Sequence, residues 1–320
     1  MQQRSHRMDA IIIRNPISGD PRKQRSFERA IDVFEAAGWQ VQVWITEYKG
    51  HSRSLAEQAA RAGHKRVVIA GGDGSIGQAV DGLLRSGVSD VSLGIIPMGT
   101  GNVFAREAGL PFPKRLGDDA PARAARIIIE NDPLCVDVGR ANNDSFLCWA
   151  GVGLDAAVTE CVESRLAFKR RLPILSYAAT AIRTMGRYQP VPGRVVVDDG
   201  ETISGDFAAI IVANIQLYAR YFRLTPAAKI DDGRLDLLIF EEQSKLSILY
   251  RLLKVAIFPR SQVHGVIRRS VQRVLIETSP PQPYHLDGDP LGRTPVTIQV
   301  VPHKLWVHLD RKRSSHLLRK

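Results

Sequence analysis

The sequence predicts two domains, an α/β domain followed by a domain made mostly of β-strands. Three observations support this: a length of 320 residues, apolar runs that alternate with helical patterns as far as residue 108, and strand-like segments that dominate the later part. A chain of this length exceeds one ordinary hydrophobic core. We therefore expect an α/β domain over residues 1–132 and a β-rich domain over 133–302, with the segment 303–320 packing back on the first.

The first domain follows a βαβ rhythm, which is typical of a parallel sheet covered by helices. Its predicted strands are 10–14, 40–46, 66–70 and 92–96, and its predicted helices are 22–37, 52–62, 75–85 and 120–130. The strands predicted for the second domain are 136–140, 145–150, 194–197, 207–213, 235–240, 271–277, 296–300 and 305–309. Two basic helical stretches, 163–187 and 245–257, are expected to pack on this β layer, and a membrane-facing role for either is the less favoured alternative.

The composition limits the classes of function. Apolar residues make up 44% of the chain, as in a packed globular protein, and no uncharged stretch approaches the roughly 20 apolar residues of a membrane span. No secretory apolar core precedes the first strand, so we expect a cytoplasmic protein. Cys135, Cys148 and Cys161 lack the spacing of a zinc site and are expected to be reduced structural thiols. The net charge of +11 suits an anionic partner.

A glycine-rich turn follows the third predicted strand, with the sequence Gly71-Gly72-Asp73-Gly74-Ser75. Glycines let backbone amides approach phosphate groups closely, and the following helix points its positive N-terminus at the same place. A plain strand-to-helix turn needs one glycine and no carboxylate. The motif therefore predicts a phosphate-binding loop.

Two better-known phosphate motifs fit this turn poorly. The spacing from Gly72 to Gly77 satisfies the dinucleotide pattern, but the next strand ends at Ile96-Pro97 without the acidic residue that would hold a ribose. The Gly-Lys-Ser or Gly-Lys-Thr ending of a Walker A loop is also missing. Neither a dinucleotide site nor a Walker A site is therefore favoured.

Two further loops follow strands that should end on the same edge of the sheet. They are Asn15-Pro16-Ile17-Ser18-Gly19 after the first strand and Pro97-Met98-Gly99-Thr100-Gly101-Asn102 after the fourth. Either loop alone is usually only a turn. Because ligands of open α/β sheets bind beyond the carboxyl ends of the strands, three such loops together predict a ligand site there.

Two carboxylates flank a glycine near the C-terminus, in Asp287-Gly288-Asp289. The segment reads equally as a hairpin turn. In the functional interpretation one carboxylate is a general base for an acceptor hydroxyl, while the other orients that hydroxyl or holds magnesium. The spacing leaves both interpretations open.

Taken in this order, the motifs resemble the diacylglycerol kinase catalytic-domain family, which includes bacterial lipid kinases and the sphingosine and ceramide kinases. The resemblance spans nearly the whole chain and also rests on the segments 151–156, 226–227 and 232–236. It implies a phosphofructokinase-like α/β domain that binds ATP and a β-sandwich-like domain that binds the lipid acceptor. The residues assigned to the ATP site are Asn15, Thr46, Gly71, Gly72, Asp73, Gly74, Ser75, Gln78, Gly99, Thr100 and Asn102.

The resemblance also implies two roles for Mg²⁺ and a base. A structural Mg²⁺ is implied near Lys229, Asp232 and Arg234, held partly by main-chain carbonyls, and Asp73 is expected to help place Mg²⁺ on the nucleotide. Asp289 matches the proposed general base, with Asp287 as its catalytic neighbour.

The chain departs from the family pattern at three positions. Gln78 and Asp289 stand where the family usually has Glu, and Val103 stands where it has Asp. Asp289 can still accept a proton, although its side chain is one methylene shorter. Gln78 loses a charge, and Val103 loses a side-chain contact.

The sequence thus predicts an ATP-dependent lipid kinase that transfers the γ-phosphoryl group to a hydroxyl of diacylglycerol or a similar lipid, peripheral on the inner face of an anionic membrane. One alternative is a kinase of a soluble acceptor, since NAD kinases share the Gly-Gly-Asp-Gly loop. Another is a lipid- or nucleotide-binding regulator without turnover, suggested by the three departures. Nucleic-acid binding is not favoured, because the basic residues are scattered and lack interleaved aromatics. The acceptor and the oligomeric state, a homodimer included, stay open.

Overall fold

The computed structural model describes residues 9–16, 21–115, 117–163, 183–184, 186, 188–218, 222–241 and 244–319. The chain divides into two compact units, which we call unit 1 (residues 1–138 and 302–320) and unit 2 (residues 139–301). The predicted fold class is confirmed, with an α/β unit followed by a β-rich one. Most of the predicted helix 163–187 lies outside the described residues. Within the described part of the chain, no helix combines the length and apolarity that crossing a bilayer requires.

Unit 1 is a parallel sheet with accompanying helices. Its sheet order is β17-β4-β3-β1-β2, and each of these four pairings is parallel. The strands are β1 (Asp9–Arg14), β2 (Gln40–Ile45), β3 (Arg66–Gly71), β4 (Ser92–Pro97), the first part of β5 (Pro133–Ala141) and the last part of β17 (Val296–His308). The helices are α1 (Pro21–Ala36), α2 (His51–Arg61), α3 (Asp73–Ser86), α4 (Val103–Glu107) and α5 (Ala120–Glu130), and a short 3₁₀ turn covers Ser315–Leu317.

The central strands of unit 1 are apolar along most of their length because both of their faces are buried. Ile11, Ile12 and Ile13 on β1 are almost fully buried, as are the residues of β3 from Val67 to Ala70. Arg14 lies opposite Ala70, and Gly71 lies opposite Pro97. This register brings the carboxyl ends of β1, β3 and β4 to one edge of the sheet.

Unit 2 is an antiparallel β structure whose sheet order is β16-β15-β7-β9-β8-β14-β17, with β12 joining β9 to β13 and β6 pairing with β5. A separate ribbon is formed by β10 (Leu217–Tyr218) and β11 (Phe222–Arg223). Its helices are α6 (Leu154–Glu163) and α7 (Lys245–Ile257). Its other strands are β6 (Asp144–Phe146), β7 (Trp149–Gly153), β8 (Val191–Val197), β9 (Glu201–Ala213), β12 (Leu235–Glu241), β13 (Val266–Val271), β14 (Arg273–Thr278), β15 (Pro283–Leu286) and β16 (Asp289–Arg293).

Several strand predictions for the second domain are wrong in their boundaries, and β8 and β9 begin earlier than predicted. The segment 145–150 is divided between β6 and β7, because the chain turns where the amides of Leu147 and Cys148 donate to Asp287. The segment 271–277 is broken at Gln272, whose amide donates to the Asp198 carboxylate. The segments 296–300 and 305–309 belong to one continuous strand, β17, which absorbs the polar residues between them.

Smaller elements were not predicted at all. They are α4, α6 and the paired strands β10–β11 and β15–β16, which are short or carry mixed polar residues. Helix α7, in contrast, has the predicted bounds. Cys135, Cys148 and Cys161 form no disulfide within the described part of the chain; Cys148 is buried and Cys161 is exposed.

A buried histidine links three elements of unit 1. His308 Nδ1 lies 2.9 Å from the carbonyl oxygen of Asn131, and its Nε2 lies 3.0 Å from Ser92 Oγ. A carbonyl oxygen only accepts, so Nδ1 donates to it. The His308 ring is then neutral, and its Nε2 accepts from the Ser92 hydroxyl. Burial lowers the pKa of His308 below its usual 6.5.

This lowered pKa makes unit 1 sensitive to acid. Below about pH 6.5 the unfolded chain binds a proton that folded His308 does not, so the free energy of unfolding should fall as the pH falls. His308→Gln should show a smaller loss of stability between about pH 7 and about pH 5 than the wild type, measured by denaturant unfolding. Exposed His303→Gln is the control, and an equal loss in the wild type and His308→Gln would contradict the assignment.

Candidate nucleotide and acceptor sites

The three loops predicted from the sequence meet at the carboxyl edge of the unit 1 sheet. The Asn15 amide donates to the Ala70 carbonyl at 3.1 Å, and the Met98 amide donates to the Gly71 carbonyl at 2.9 Å. Asn15 Nδ2 also donates to Ser75 Oγ at 2.9 Å. Residues 17–19 of the first loop lie outside the described residues. The described parts of the loops are therefore tied to one another by hydrogen bonds.

Glycine is required where two of these loops touch. A Cβ atom on Gly99 would lie 2.4 Å from the Cα atom of Gly72, which is far inside van der Waals contact. Helix α3 begins at Asp73, next to this contact, and the first amides of a helix have no partner within it. The amides of Asp73, Gly74 and Ser75 therefore have no partner within the helix, an arrangement that suits an anion, and the Asp73 amide contacts its own carboxylate.

Asp73 connects the loop after β3 to the loop after β4. Its Oδ1 accepts hydrogen bonds from the amides of Val103 at 2.6 Å and Phe104 at 3.4 Å, at the start of α4. Burial raises the pKa of Asp73, and these hydrogen bonds oppose that rise. A Cβ on Gly101 would lie 2.4 Å from Asp73 Oδ2. Val103, a departure from the family pattern, thus contributes through its main chain.

Asn102 is buried in the left-handed conformation and offers an acceptor to the site. Its Nδ2 donates to the Gly99 carbonyl at 2.7 Å, which fixes the orientation of the side chain. Its Oδ1 is buried and has no hydrogen-bond partner among the described residues. Because buried polar atoms are rarely left unpaired, this oxygen indicates a ligand position.

The remaining residues assigned to the ATP site lie around the same edge. Thr46 follows β2, is buried, and donates its amide to the Arg14 carbonyl at 2.9 Å. Gln78 lies on α3 and is partly buried, while Thr100 is exposed in the loop after β4.

In unit 2, Asp287 sits in the tight turn between β15 and β16 with a positive φ of 50°. Its carboxylate accepts hydrogen bonds from three consecutive amides, those of Leu147 at 2.8 Å, Cys148 at 2.8 Å and Trp149 at 3.0 Å. These contacts hold the β15–β16 turn against the start of β7. They give Asp287 a structural use that the sequence did not predict, and its catalytic role stays a prediction.

A second polar network supports the same turn. Buried His285 accepts the Gly288 amide at Nδ1, 3.2 Å away, so its Nε2 carries the proton and donates to Asp155 Oδ2 at 2.8 Å. Tyr218 Oη donates to the other oxygen of Asp155. A Cβ on Gly151 would lie 1.9 Å from Asp155 Oδ2, so glycine is needed there.

This network positions the first residue of β16, the predicted base Asp289. Gly151 and Asp155 belong to the segment 151–156, which contributes to the family resemblance but to which the sequence assigns no role. The hydrogen bond between His285 and Asp155 joins residues 130 positions apart, and nothing in their local sequence signals it.

The residues of the implied structural metal site lie together in unit 2. Asp232 Oδ1 accepts the Arg234 amide at 3.0 Å, and the Arg234 guanidinium donates to Ser270. A guanidinium has no acceptor atom, so only the main chain of Arg234 could serve a metal. Burial and the charge of Asp232 raise the pKa of Asp236 to about 7. Excess negative charge and oxygen donors suit Mg²⁺. Among the described residues, no group of three His, Cys, Asp or Glu side chains could hold a metal, so carbonyls would have to complete such a site.

Comparison with known proteins follows the same division of the chain. The family model described as diacylglycerol kinase catalytic domain matches residues 9–141, and that described as YegS C-terminal NAD kinase beta sandwich-like domain matches residues 149–309. A probable lipid kinase YegS-like protein of Chromohalobacter salexigens is 32% identical over 276 residues, which cover 86% of this chain and 85% of that protein. A diacylglycerol kinase of Bacillus subtilis is 28% identical over 312 residues, covering 96% and 98%.

A solved structure supports the fold. The crystal structure of a diacylglycerol kinase from Bacillus anthracis has a TM-score of 0.73 at 20% identity and covers 97% of this chain and 99% of that chain. The chain belongs to the diacylglycerol kinase catalytic-domain family.

The contact between Gly72 and Gly99 should be essential for nucleotide binding. Gly99→Ala places a methyl group against the Gly72 backbone and must push the two loops apart. We expect ATP affinity, measured by calorimetry with Mg²⁺ present, to fall by about tenfold or more. Gly200→Ala is a matched control, because its nearest atoms lie 3.9 Å from the new Cβ. Unchanged affinity in Gly99→Ala would place the nucleotide elsewhere.

The two carboxylates of the β15–β16 turn should behave differently. Asp287→Asn replaces one acceptor oxygen by a donor that faces a backbone amide, so the free energy of unfolding should fall by about 2 kcal/mol. Asp289→Asn on the same turn serves as the comparison and should change stability by about 0.5 kcal/mol or less. Equal stabilities of the two variants in denaturant unfolding would argue against the three-amide contact.

Proposed function

We propose that this protein is an ATP-dependent lipid kinase that transfers the γ-phosphoryl group to a hydroxyl of diacylglycerol or a similar lipid. The observation that carries the proposal is the convergence of three glycine-rich loops on the N-terminus of α3, with the unpaired oxygen of Asn102 beside them. The names of its relatives, which include a diacylglycerol kinase and a lipid kinase, support a lipid acceptor.

The N-terminus of α3 would bind the phosphates. The amides of Asp73, Gly74 and Ser75 would donate to phosphate oxygens and stabilise the charge that develops during transfer. The close approach of Gly72 to Gly99 brings the loop after β4 against the residue that precedes α3. Catalysis of phosphoryl transfer consists mainly of such positioning and electrostatic stabilisation.

Magnesium fits the donor chemistry of both proposed positions. Asp73 would contribute Oδ2 to the ion on the nucleotide, since its Oδ1 already accepts two amides. Asp232, with carbonyls of the segment that includes Lys229 and Arg234, would hold the structural ion in unit 2. When bound, Mg²⁺ neutralises phosphate charge and offsets the negative charge that raises the pKa of Asp236.

Asp289 would act as the general base. The acceptor hydroxyl gives its proton to the Asp289 carboxylate while its oxygen forms the bond to the γ-phosphorus, and the bond to the β-phosphate oxygen breaks to release ADP. His285 and Asp155 would fix the backbone of this turn through the Gly288 amide. Tight positioning compensates for a side chain one methylene shorter than glutamate.

Trp149 is a candidate contact for the acceptor. Its indole nitrogen is buried without a hydrogen-bond partner among the described residues, and its ring lies 5.2 Å from that of Tyr218. An ester or hydroxyl oxygen of a lipid would satisfy this donor.

The panel experiment compares acceptors directly. Labelled γ-phosphate from ATP and Mg²⁺ is offered with diacylglycerols, monoacylglycerols, ceramide, sphingoid bases and NAD, the last because the second family model bears the name of NAD kinase. We expect transfer to a glycerolipid. Transfer to NAD alone would support the soluble-acceptor alternative, and nucleotide binding without any transfer would support a regulator.

Removal of the base should separate binding from turnover. In Asp289→Asn, kcat should fall by about 100-fold or more because no carboxylate accepts the proton, while ATP affinity stays within about twofold. Asp206→Asn, a carboxylate at a distant position of β9, is the control. Turnover at the wild-type rate in Asp289→Asn would assign the base to another group.

A further inference from the structure

Helix α7 of unit 2 has a packed face and an exposed face. Ile248 and Val255 are almost fully buried, and the Arg251 guanidinium turns inward to donate to the carbonyls of Glu241 and Gly265. These contacts anchor the helix on the β structure, as the sequence predicted. They account for only one side of it.

The opposite side is an apolar stripe, which we define as Leu249, Tyr250, Leu253, Ile257 and Phe258. These side chains are between 38% and 64% exposed. Leu249, Leu253 and Ile257 recur every four residues and so share one face of the helix. Strand β11 lies beside α7, and its Phe222 is 43% exposed. An apolar surface of this kind marks an interaction site rather than ordinary surface.

Charge selects the kind of partner. Residues 243–264 include no Asp or Glu, and besides the inward-turned Arg251 they include three basic residues, Lys245, Lys254 and Arg260. The Lys254 ammonium lies 5.4 Å from the centre of the Tyr250 ring, so a cation flanks the apolar stripe. A helix with an apolar face, flanking cations and no acids suits an interface that is apolar within and negatively charged at its rim.

We infer that the apolar stripe of α7 docks unit 2 on an anionic lipid bilayer, with the helix lying in the headgroup region. The inference rests on the proposed function in one respect, since a lipid acceptor gives the protein a reason to dwell at a membrane. It goes beyond that function by assigning membrane contact to named residues outside both the phosphate loops and the Asp289 turn.

The direct test is flotation with vesicles that contain no diacylglycerol. The wild type should bind phosphatidylcholine vesicles that contain phosphatidylglycerol and should bind pure phosphatidylcholine vesicles weakly. The double variant Leu253→Asp/Ile257→Asp should reduce binding to the anionic vesicles by about tenfold or more, because two inserted apolar side chains are lost and negative charge is added. The single variant Leu253→Asn provides a milder change in case the double variant unfolds.

The matched control is the double variant Val43→Asp/Ile45→Asp, which adds the same two negative charges at exposed apolar residues of β2 in unit 1. Its vesicle binding should stay within about twofold of the wild type. Equal losses in this control and in the α7 double variant would overturn the assignment, because net charge alone would then explain the effect.

Activity distinguishes this inference from the proposed function. The α7 variants should lose transfer to diacylglycerol in vesicles but keep wild-type transfer to a short-chain diacylglycerol dissolved as monomers. If the wild type phosphorylates no lipid but its flotation depends on α7, the proposed function is overturned and the docking surface is supported.

Flotation tests the docking surface by itself. Folded α7 variants that float as well as the wild type would overturn it. If the α7 variants float as the wild type does but are monomers where the wild type is a dimer, the docking surface is also overturned. The apolar stripe would then join two copies of the chain.

Discussion

The hydrogen bonds from the Val103 and Phe104 amides to the Asp73 carboxylate are the interaction on which the candidate nucleotide site depends. They join the loop after β3 to the loop after β4, beyond the last paired residues of these strands, Gly71 and Pro97. A carboxylate can do this only if the glycines around it allow close backbone approach, and Gly72, Gly99 and Gly101 do so. The turn after β3 therefore holds the loop beside it in place, and in the proposed function the same turn binds the phosphates.

In unit 2 a carboxylate likewise binds backbone amides, at the turn between β15 and β16. Asp287 accepts three amides at and before the start of β7, and His285 accepts the Gly288 amide and donates to Asp155. Charge-assisted hydrogen bonds of this type are among the stronger ones, and a buried network holds a backbone in one conformation. The main chain that carries the Asp289 carboxylate is therefore held in one conformation. A general base needs this if it is to meet a hydroxyl with the correct geometry.

The sequence predicted what depends on local pattern. The isoleucine run of β1 and the apolar run of β3 identified buried parallel strands. The position of the loops after them, at one edge of the sheet, followed from the order of strands and helices. The roles of Asp73 and Asp287 could not be read in this way, because each carboxylate binds amides 30 to 140 positions away. Hydrogen bonds between distant segments leave no periodicity in the sequence. The same reason hid the pairing of His285 with Asp155, although both lie within or beside matching motifs.

The central claim is that the N-terminus of α3 holds the phosphates of ATP, and a crystal structure with Mg²⁺ and a non-hydrolysable ATP analogue tests it most directly. Phosphate oxygens should lie within hydrogen-bond distance of the amides of Asp73, Gly74 and Ser75, and a ligand or ordered water should lie on Asn102 Oδ1. An analogue bound with its phosphates away from this edge of the unit 1 sheet would show that the N-terminus of α3 does not hold them.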